Sequence, residues 1–285
     1  MLPKRFFAIT VLLVAAGCGG TDEPDRLSQL AMADSNVRQW RLSDRLREIS
    51  GLALSPDGRL FAVTDEVAVV FEINYTDGKL IRAFALEDPP VAGDFEGIAW
   101  LNGRIYLTTS DGILYSSPEP AAGERAEATR IDTGLGERCE IEGLADDADT
   151  DRLFLLCKGG VKGSKLSNLQ IFVWSVADQR VTGTITRPLA DIQRALGMKS
   201  FYPSGIVLDP ESESFLIVAA RQRALVELGT DGRLISARRF SDPGRHRRAE
   251  GIELTSSGKL LIADEGADGK ARLAVYEPQR SGGSR

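Results

Sequence analysis

The stretch SGLALSPDGRLFAVTDE, residues 50–66, places a small residue, a glycine and an aliphatic run ahead of an Asp-Gly turn and a second apolar run. A small or acidic residue, a glycine, an aliphatic residue and a second apolar run return in EGIAWLNGRIYLTTSDG (96–112), EGLADDADTDRLFLLCK (142–158), SGIVLDPESESFLIVAAR (204–221) and EGIELTSSGKLLIADEG (250–266). The repeat glycines, Gly51, Gly97, Gly143, Gly205 and Gly251, are 46, 46, 62 and 46 residues apart. A period of ~40–50 residues holding several short strands is the sequence signature of a propeller blade. The expected fold is therefore all-β, a five-bladed β-propeller over residues 36–278.

Each unit continues into a second hairpin. In the first, residues 68–73 and 80–86 flank TDGK, and in the fourth, residues 224–228 and 233–240 flank TDG. Asp-Gly between alternating runs is a strong hairpin signal. The second unit is the weakest, with short runs at 113–116 and 128–132. The fifth runs out of chain after residues 272–276. The early segment VRQWRLSD (37–44) resembles LIRAFALED (80–88), and both lead into the start of a repeat. It is expected to be the missing fourth strand of the last blade, which closes the ring and removes an open sheet edge. The sixteen additional residues between the third and fourth repeats include RPLADIQRALG (187–197). Leu189, Ile192 and Leu196 share a helical face there, between a proline start and a glycine stop.

The N-terminus reads as an address. Lys4 and Arg5 precede an apolar run of eleven residues (6–16), too short for the ~20 residues that span a bilayer. It ends in LLVAAGC, a lipobox-like arrangement in which Cys18 becomes the lipidated N-terminus. Residues 1–17 are then a lipoprotein signal, 18–35 a polar tether, and 279–285 a disordered tail. The expected setting is the bacterial cell envelope, with a membrane partner through the lipid; Gly19, standing where Asp would hold back sorting, favours the outer membrane.

Among 285 residues, 35 are basic, 41 acidic and one is histidine, for a formal charge of −6. That balance argues against nucleic acid, whose phosphates call for a basic face. The single His246 excludes His-rich metal sites. In a propeller the innermost strands line the axis, so Ser50, Glu96, Glu142, Ser204 and Glu250, each just before its repeat glycine, should converge on one mouth. The second-strand ends reach the same mouth: Asp65 and Glu66, Lys158, Arg221, Asp264 and Glu265. Carboxylates sharing a small space repel one another, and either a bound cation or a salt-bridge network relieves them. An all-oxygen donor set favours a hard ion, Ca²⁺ before Mg²⁺. GRHRRAE (244–250) puts three arginines and His246 on a loop at that mouth, which suits an anionic ligand. Cys139 and Cys157 bracket the first hairpin of the third repeat, and a disulfide is expected in an oxidising envelope.

The ordered set ISGLALSPDGRLFAVTDE, DFEGIAW, EIEGLA, YPSGIVLDP and AEGIELTSSGKLLIADE, with the lipobox, resembles the SdiA-regulated family of envelope proteins. The resemblance spans residues 35–278. It implies a five-bladed propeller distantly related to NHL-repeat propellers and a calcium site, carried here by Glu96, Glu142 and Glu250 with Asp65 and Asp264 as further candidates. Two functions are compatible with it. One is a monomeric recognition module for a protein, glycan or small molecule at the channel mouth. The other is a Ca²⁺-dependent hydrolase of the lactonase or phytase-like propeller type, with Glu66 or Glu265 as a base. No serine or cysteine lies in a nucleophile motif, which leaves a catalytic triad without support.

Overall fold

In a computed structural model of the chain, residues 25–30, 36–121, 124–161, 164–242, 244–267 and 269–278 are described. Cys18 and the tail at 279–285 lie outside the described residues. No described helix is long and apolar enough to cross a membrane. A short helix, α1 (Arg26–Gln29), comes first, followed by strand β1 (Val37–Arg41).

Nineteen further strands follow among the described residues. Blade one is β2 (Ile49–Leu54), β3 (Leu60–Thr64), β4 (Val69–Asn74) and β5 (Lys79–Ala85). Blade two is β6 (Phe95–Leu101), β7 (Arg104–Thr109), β8 (Ile113–Pro118) and β9 (Thr129–Asp132). Blade three is β10 (Glu140–Asp147), β11 (Arg152–Gly159), β12 (Asn168–Ser175) and β13 (Arg180–Pro188). After helix α2 (Leu189–Leu196) come β14 (Gly205–Asp209), β15 (Ser214–Ala219), β16 (Ala224–Gly229) and β17 (Leu234–Arg239), which form blade four. Blade five holds β18 (Ala249–Leu254), β19 (Leu260–Asp264) and β20 (Arg272–Tyr276), and β1 completes it antiparallel to β20, from Val37 opposite Tyr276 to Arg41 opposite Arg272. The chain is thus a five-bladed β-propeller closed by its N-terminal strand.

The blades are held by five apolar seams, one between each neighbouring pair. Phe61 stacks on Trp100 between blades one and two, ring centres 4.9 Å apart, and Phe154 meets Phe215 edge-on at 4.8 Å between blades three and four. The α2 stripe joins this second seam through the buried Ile192 and Leu196, and Gly197 ends the helix with the left-handed φ of 65° that favours glycine. The closing strand is locked from both sides. The Trp40 indole donates to Tyr75 O of blade one at 3.2 Å, and Trp40 lies against the turn at Gly78, whose φ of 74° and lack of a Cβ admit it.

The repeat glycine has a tertiary cause. A Cβ on Gly97 would stand 2.6 Å from Leu144 N, one on Gly251 2.7 Å from Leu52 Cγ, and one on Gly205 would collide with Glu250 O. Around the axis the innermost strands approach one another closer than side chains allow, so glycine recurs once per blade. The aliphatic residue that follows it, Leu52, Ile98, Leu144, Ile206 or Ile252, plugs the axis. The neck left between them holds about 10 Å³, the size of a single water. The axis is therefore no pore, and the two ends of the propeller are separate cups.

One expected tether is partly docked. In residues 25–30, Leu27 and Leu30 are each 2% exposed, inserted into the seam between blades four and five. Leu27 N donates to Glu227 Oε2 at 3.3 Å, and Arg238 pairs with Asp25 at 2.9 Å. The polar composition of 18–35 concealed two leucines spaced to bury together. Cys139 and Cys157 are joined by a disulfide, their Cα atoms 5.8 Å apart, across the first hairpin of blade three.

Candidate functional site

The upper mouth, where the innermost strands begin, is built by a repeated irregularity. In blades one, two and five the ladder pairs Ile49 with Thr64 but Gly51 with Val63, Phe95 with Thr109 but Gly97 with Thr108, and Ala249 with Asp264 but Gly251 with Ala263. Each skips the residue before the glycine; blade three slips likewise between Ile141 and Leu144. A bulge leaves one residue out of the ladder and re-aims its side chain. Glu96, Glu142 and Glu250 are the residues so released.

These three carboxyls feel one another's charge. Burial first, then the charge of Glu142 and Asp94, pushes Glu96 up to about 9. Burial, then Glu142 and Glu265, raises Glu250 to about 8. Glu142 is 3% exposed and rises to about 7 through burial, although Lys158 Nζ is bonded to it and offsets part of the shift. Burial alone would depress Lys158, but Glu142, Glu140 and Glu96 outweigh it and hold the ammonium above its ordinary value. Among the described residues one ammonium thus serves three inward carboxyls, and the ring is short of positive charge.

The two serines of the ring do different work. Ser204 Oγ donates to Ala249 O at 2.6 Å and accepts from Ala220 N at 3.0 Å, stapling blade four to blade five. Ser50 Oγ reaches Val63 O at 3.4 Å.

Asp65 and Asp264 end their strands at this mouth but do not join the ring. Asp264 is 4% exposed, with Oδ2 2.7 Å from His246 Nδ1 and Oδ1 accepting from Arg248 N at 3.2 Å. Asp65 stands on the outer rim, where burial and the charges of Glu48, Glu66, Asp94 and Glu265 raise it to about 6. Its Oδ1 is buried with no hydrogen-bond partner. Glu66 faces outward beside it, and Glu265 is bonded to Arg248 at 2.8 and 2.9 Å. His246 is fully buried, its Nε2 2.6 Å from Tyr276 Oη. It clamps the loop bearing Arg247 and Arg248 onto blade five and offers no base to solvent.

Whether this donor set suits calcium divides in two. In kind it does: the carboxyls are all-oxygen donors lacking countercharge, as a hard cation requires. In spacing, with Lys158 in place, no three acidic, His or Cys groups among the described residues stand close enough to hold a metal ion. Glu96, Glu142 and Glu250 are the ligands such an ion would use, and it would have to displace the Lys158 ammonium.

Beside the ring, between blades three, four and five, lies a well of about 350 Å³. Glu142, Glu250 and Lys158 form one wall; Arg221, Arg247 and Tyr202 form another. The Arg221 guanidinium lies over the Tyr202 ring at 5.0 Å, and Tyr202 is 37% exposed. Among the described residues neither Arg221 nor Arg247 has a carboxylate within ion-pair distance. The mouth is therefore polarised between the ring carboxyls, Glu96, Glu142 and Glu250, and the arginines Arg221 and Arg247 carried by blades four and five. Tyr202 carried no signal in the sequence; only the turn of the chain after α2 brings it here.

No protein-family model matches this chain, and no curated protein does. Solved structures of similar fold include glutaminyl cyclase of Myxococcus xanthus, at 13% identity and a TM-score of 0.59 over 86% of this chain and 97% of that one. Aldose sugar dehydrogenase of Streptomyces coelicolor, in its PQQ-bound form, aligns at 15% identity and 0.51 over 84% and 98%. A putative oxidoreductase (glucose dehydrogenase) of Thermus thermophilus aligns at 13% and 0.50 over 84% and 99%. At these identities the likeness is one of fold.

Proposed function

We propose that this propeller is a recognition module of the bacterial envelope. Its upper well binds a small polar ligand, with an anionic group on Arg221 and Arg247 and donor groups toward Glu142 and Glu250. The observation that carries this reading is the polarised well: two arginines that have no carboxylate partner among the described residues face buried carboxyls short of positive charge. A ligand that meets both walls relieves both. Tyr202, exposed beneath Arg221, supplies a flat apolar surface of the kind sugar rings pack against.

The motif resemblance to SdiA-regulated envelope proteins supports the setting, with Cys18 as the lipid anchor. It also supports Ca²⁺ as the cation of the Glu96–Glu142–Glu250 ring. Cys18→Ala is expected to move the protein from the membrane to the soluble fraction, and retention on the membrane would reject the anchor.

The ligand reading is tested by melting and calorimetry with gluconate, glucose 6-phosphate and neutral oligosaccharides, on the parent and on Arg221→Ala. The anionic compounds are expected to raise the melting temperature in the parent, with at least a tenfold loss of affinity in the variant, worth about 1.4 kcal/mol. An equal response in both proteins would remove the well from the function.

One observation favours hydrolysis as the second reading. Glu142 and Glu250, both raised by burial, share the well, and a carboxyl held protonated near neutral pH can serve as a general acid. Turnover of lactone, ester or phosphoester panels, lost in Glu250→Gln, would favour it over simple binding.

A further inference from the structure

The lower end of the axis holds a cavity of about 570 Å³, within the range of small-molecule sites. Since the neck admits one water at most, this cup does not communicate with the upper well. Its floor is aliphatic, with Ile98, Leu144 and Ile206 at the neck, and its walls mix Leu54, Leu208 and Leu254 with Ser55, Thr255, Ser256 and Ser257. Two carboxyls stand on those walls, Asp146 near the end of β10 and Glu253 within β18, and the charge of Asp146 reaches Glu253. Around the rim are Asp147 and Asp149 of blade three, and Asp209 and Glu211 of blade four. Arg26 of α1 is the one cation among the lining residues, and it is committed to Asp209 at 2.7 Å and Glu211 at 3.6 Å.

From this cup we propose a second ligand site, for an organic ammonium: a short aliphatic body resting on Ile98, Leu144 and Ile206 with its nitrogen between Asp146 and Glu253. The chemistry selects that class. Acids outnumber cations in the lining, so an anion is rejected. A bare metal ion finds no three ligating groups gathered together among the described residues. An alkylammonium has N–H donors for two separated carboxyls and a carbon chain that an aliphatic floor rewards at roughly 0.8 kcal/mol per buried CH₂. A neutral alcohol of the same length loses the charge pairing, and ammonium ion loses the apolar contact.

Binding should also carry a proton signature. Burial pushes Asp146 to about 7 and Glu253 to about 8, with Asp147 adding to the first and Asp146 to the second. At neutral pH much of this pair is protonated, and an ammonium favours the carboxylates. Affinity should therefore rise from pH 6 to pH 9, with protons released on binding. Asp147, Asp149, Asp209, Glu211 and Arg26 face the same space.

The experiment is calorimetry on the full chain with n-hexylammonium chloride, n-hexanol and ammonium chloride as probes. The hexylammonium ion is expected to bind at least tenfold more tightly than either control, and to lose at least tenfold in Glu253→Gln and in Asp146→Asn. Glu142→Gln, in the upper ring, should leave its affinity within twofold. Melting of each variant without probe checks that it is folded; because Glu253 accepts from Leu54 N at 3.1 Å and Leu254 N at 2.7 Å, Asp146→Asn decides if Glu253→Gln fails to fold. Equal binding of hexanol, affinity unchanged in Asp146→Asn, or loss confined to Glu142→Gln would overturn the proposal. The first two outcomes leave Arg221 and the upper well untouched, whereas loss confined to Glu142→Gln would put the ammonium in that well instead.

Discussion

A chain lacking residues 36–43 is expected to be recovered as aggregate, or to melt at least 15 °C below the parent. Strand β1 fills the outer edge of blade five, pairing five residues with β20. Without it, β20 presents a row of unpaired backbone groups, a template for pairing with other chains. The deletion also removes Leu42, 1% exposed, and Trp40, which ties blade five to blade one through Tyr75 O. Burying a leucine of this kind is worth about 2–5 kcal/mol, and a chain of this size shifts by about 2–4 °C per kcal/mol. Loss of the edge adds to both. Size-exclusion chromatography and melting decide the matter: a monomer that melts like the parent would show that the ring does not depend on this strand.

The second large effect is electrostatic. Without metal, the protein should lose stability as pH rises from about 5 to about 9. Glu96, Glu250 and Glu142 bind their protons more tightly in the folded chain, up to about 9, 8 and 7, than in the unfolded chain, where they titrate near 4.5. Over that window the unfolded state holds fewer protons than the folded one, so stability falls with pH; below about pH 4.5 the penalty is absent. Glu96→Gln keeps the shape and removes the charge. It should flatten the profile and raise the melting temperature at pH 8 by about 3–8 °C, corresponding to ~1–3 kcal/mol. Lys158→Met removes the one ammonium facing the ring and should steepen the profile. Graded Ca²⁺ should raise the melting temperature of the parent in proportion to its logarithm above Kd, and less so in Glu142→Gln. A flat pH profile would show the ring is not short of charge, and identical melting in chelator and in Ca²⁺ would remove calcium from it.

How much of this was legible beforehand varied with distance along the chain. The hairpins were plain, because Asp-Gly and Asn-Gly turns act within four residues: TDGK at 76–79 and TDG at 230–232 flank paired strands as read. The α2 stripe and its glycine stop were legible for the same reason. The placing of Glu96, Glu142 and Glu250 at one mouth followed from the fold once the period was recognised. Asp264 was read at the right mouth, but its bond to His246 was not legible, because that residue comes from a loop whose path has no periodic signal. Asp146 and Glu253 went unnoticed, although an acid inside an otherwise aliphatic inner strand, as in GIEL at 251–254, is a signal that something polar faces the axis.

By itself, then, the sequence determined the number of blades, the strands within each, the closing of the ring by residues 37–41 and the set of carboxyls at one mouth. Those features rest on local turn chemistry and on a repeat, both written in consecutive residues. Only the tertiary structure decided that the axis is plugged, that the two ends are separate cups, that Lys158 rather than an acid faces Glu142, and that Leu27 and Leu30 dock a segment composed like a tether. Each of these depends on how closely five innermost strands approach across the axis and on which side chain the bulges and loops bring there. Such distances join residues from different blades, and no spacing along one chain records them.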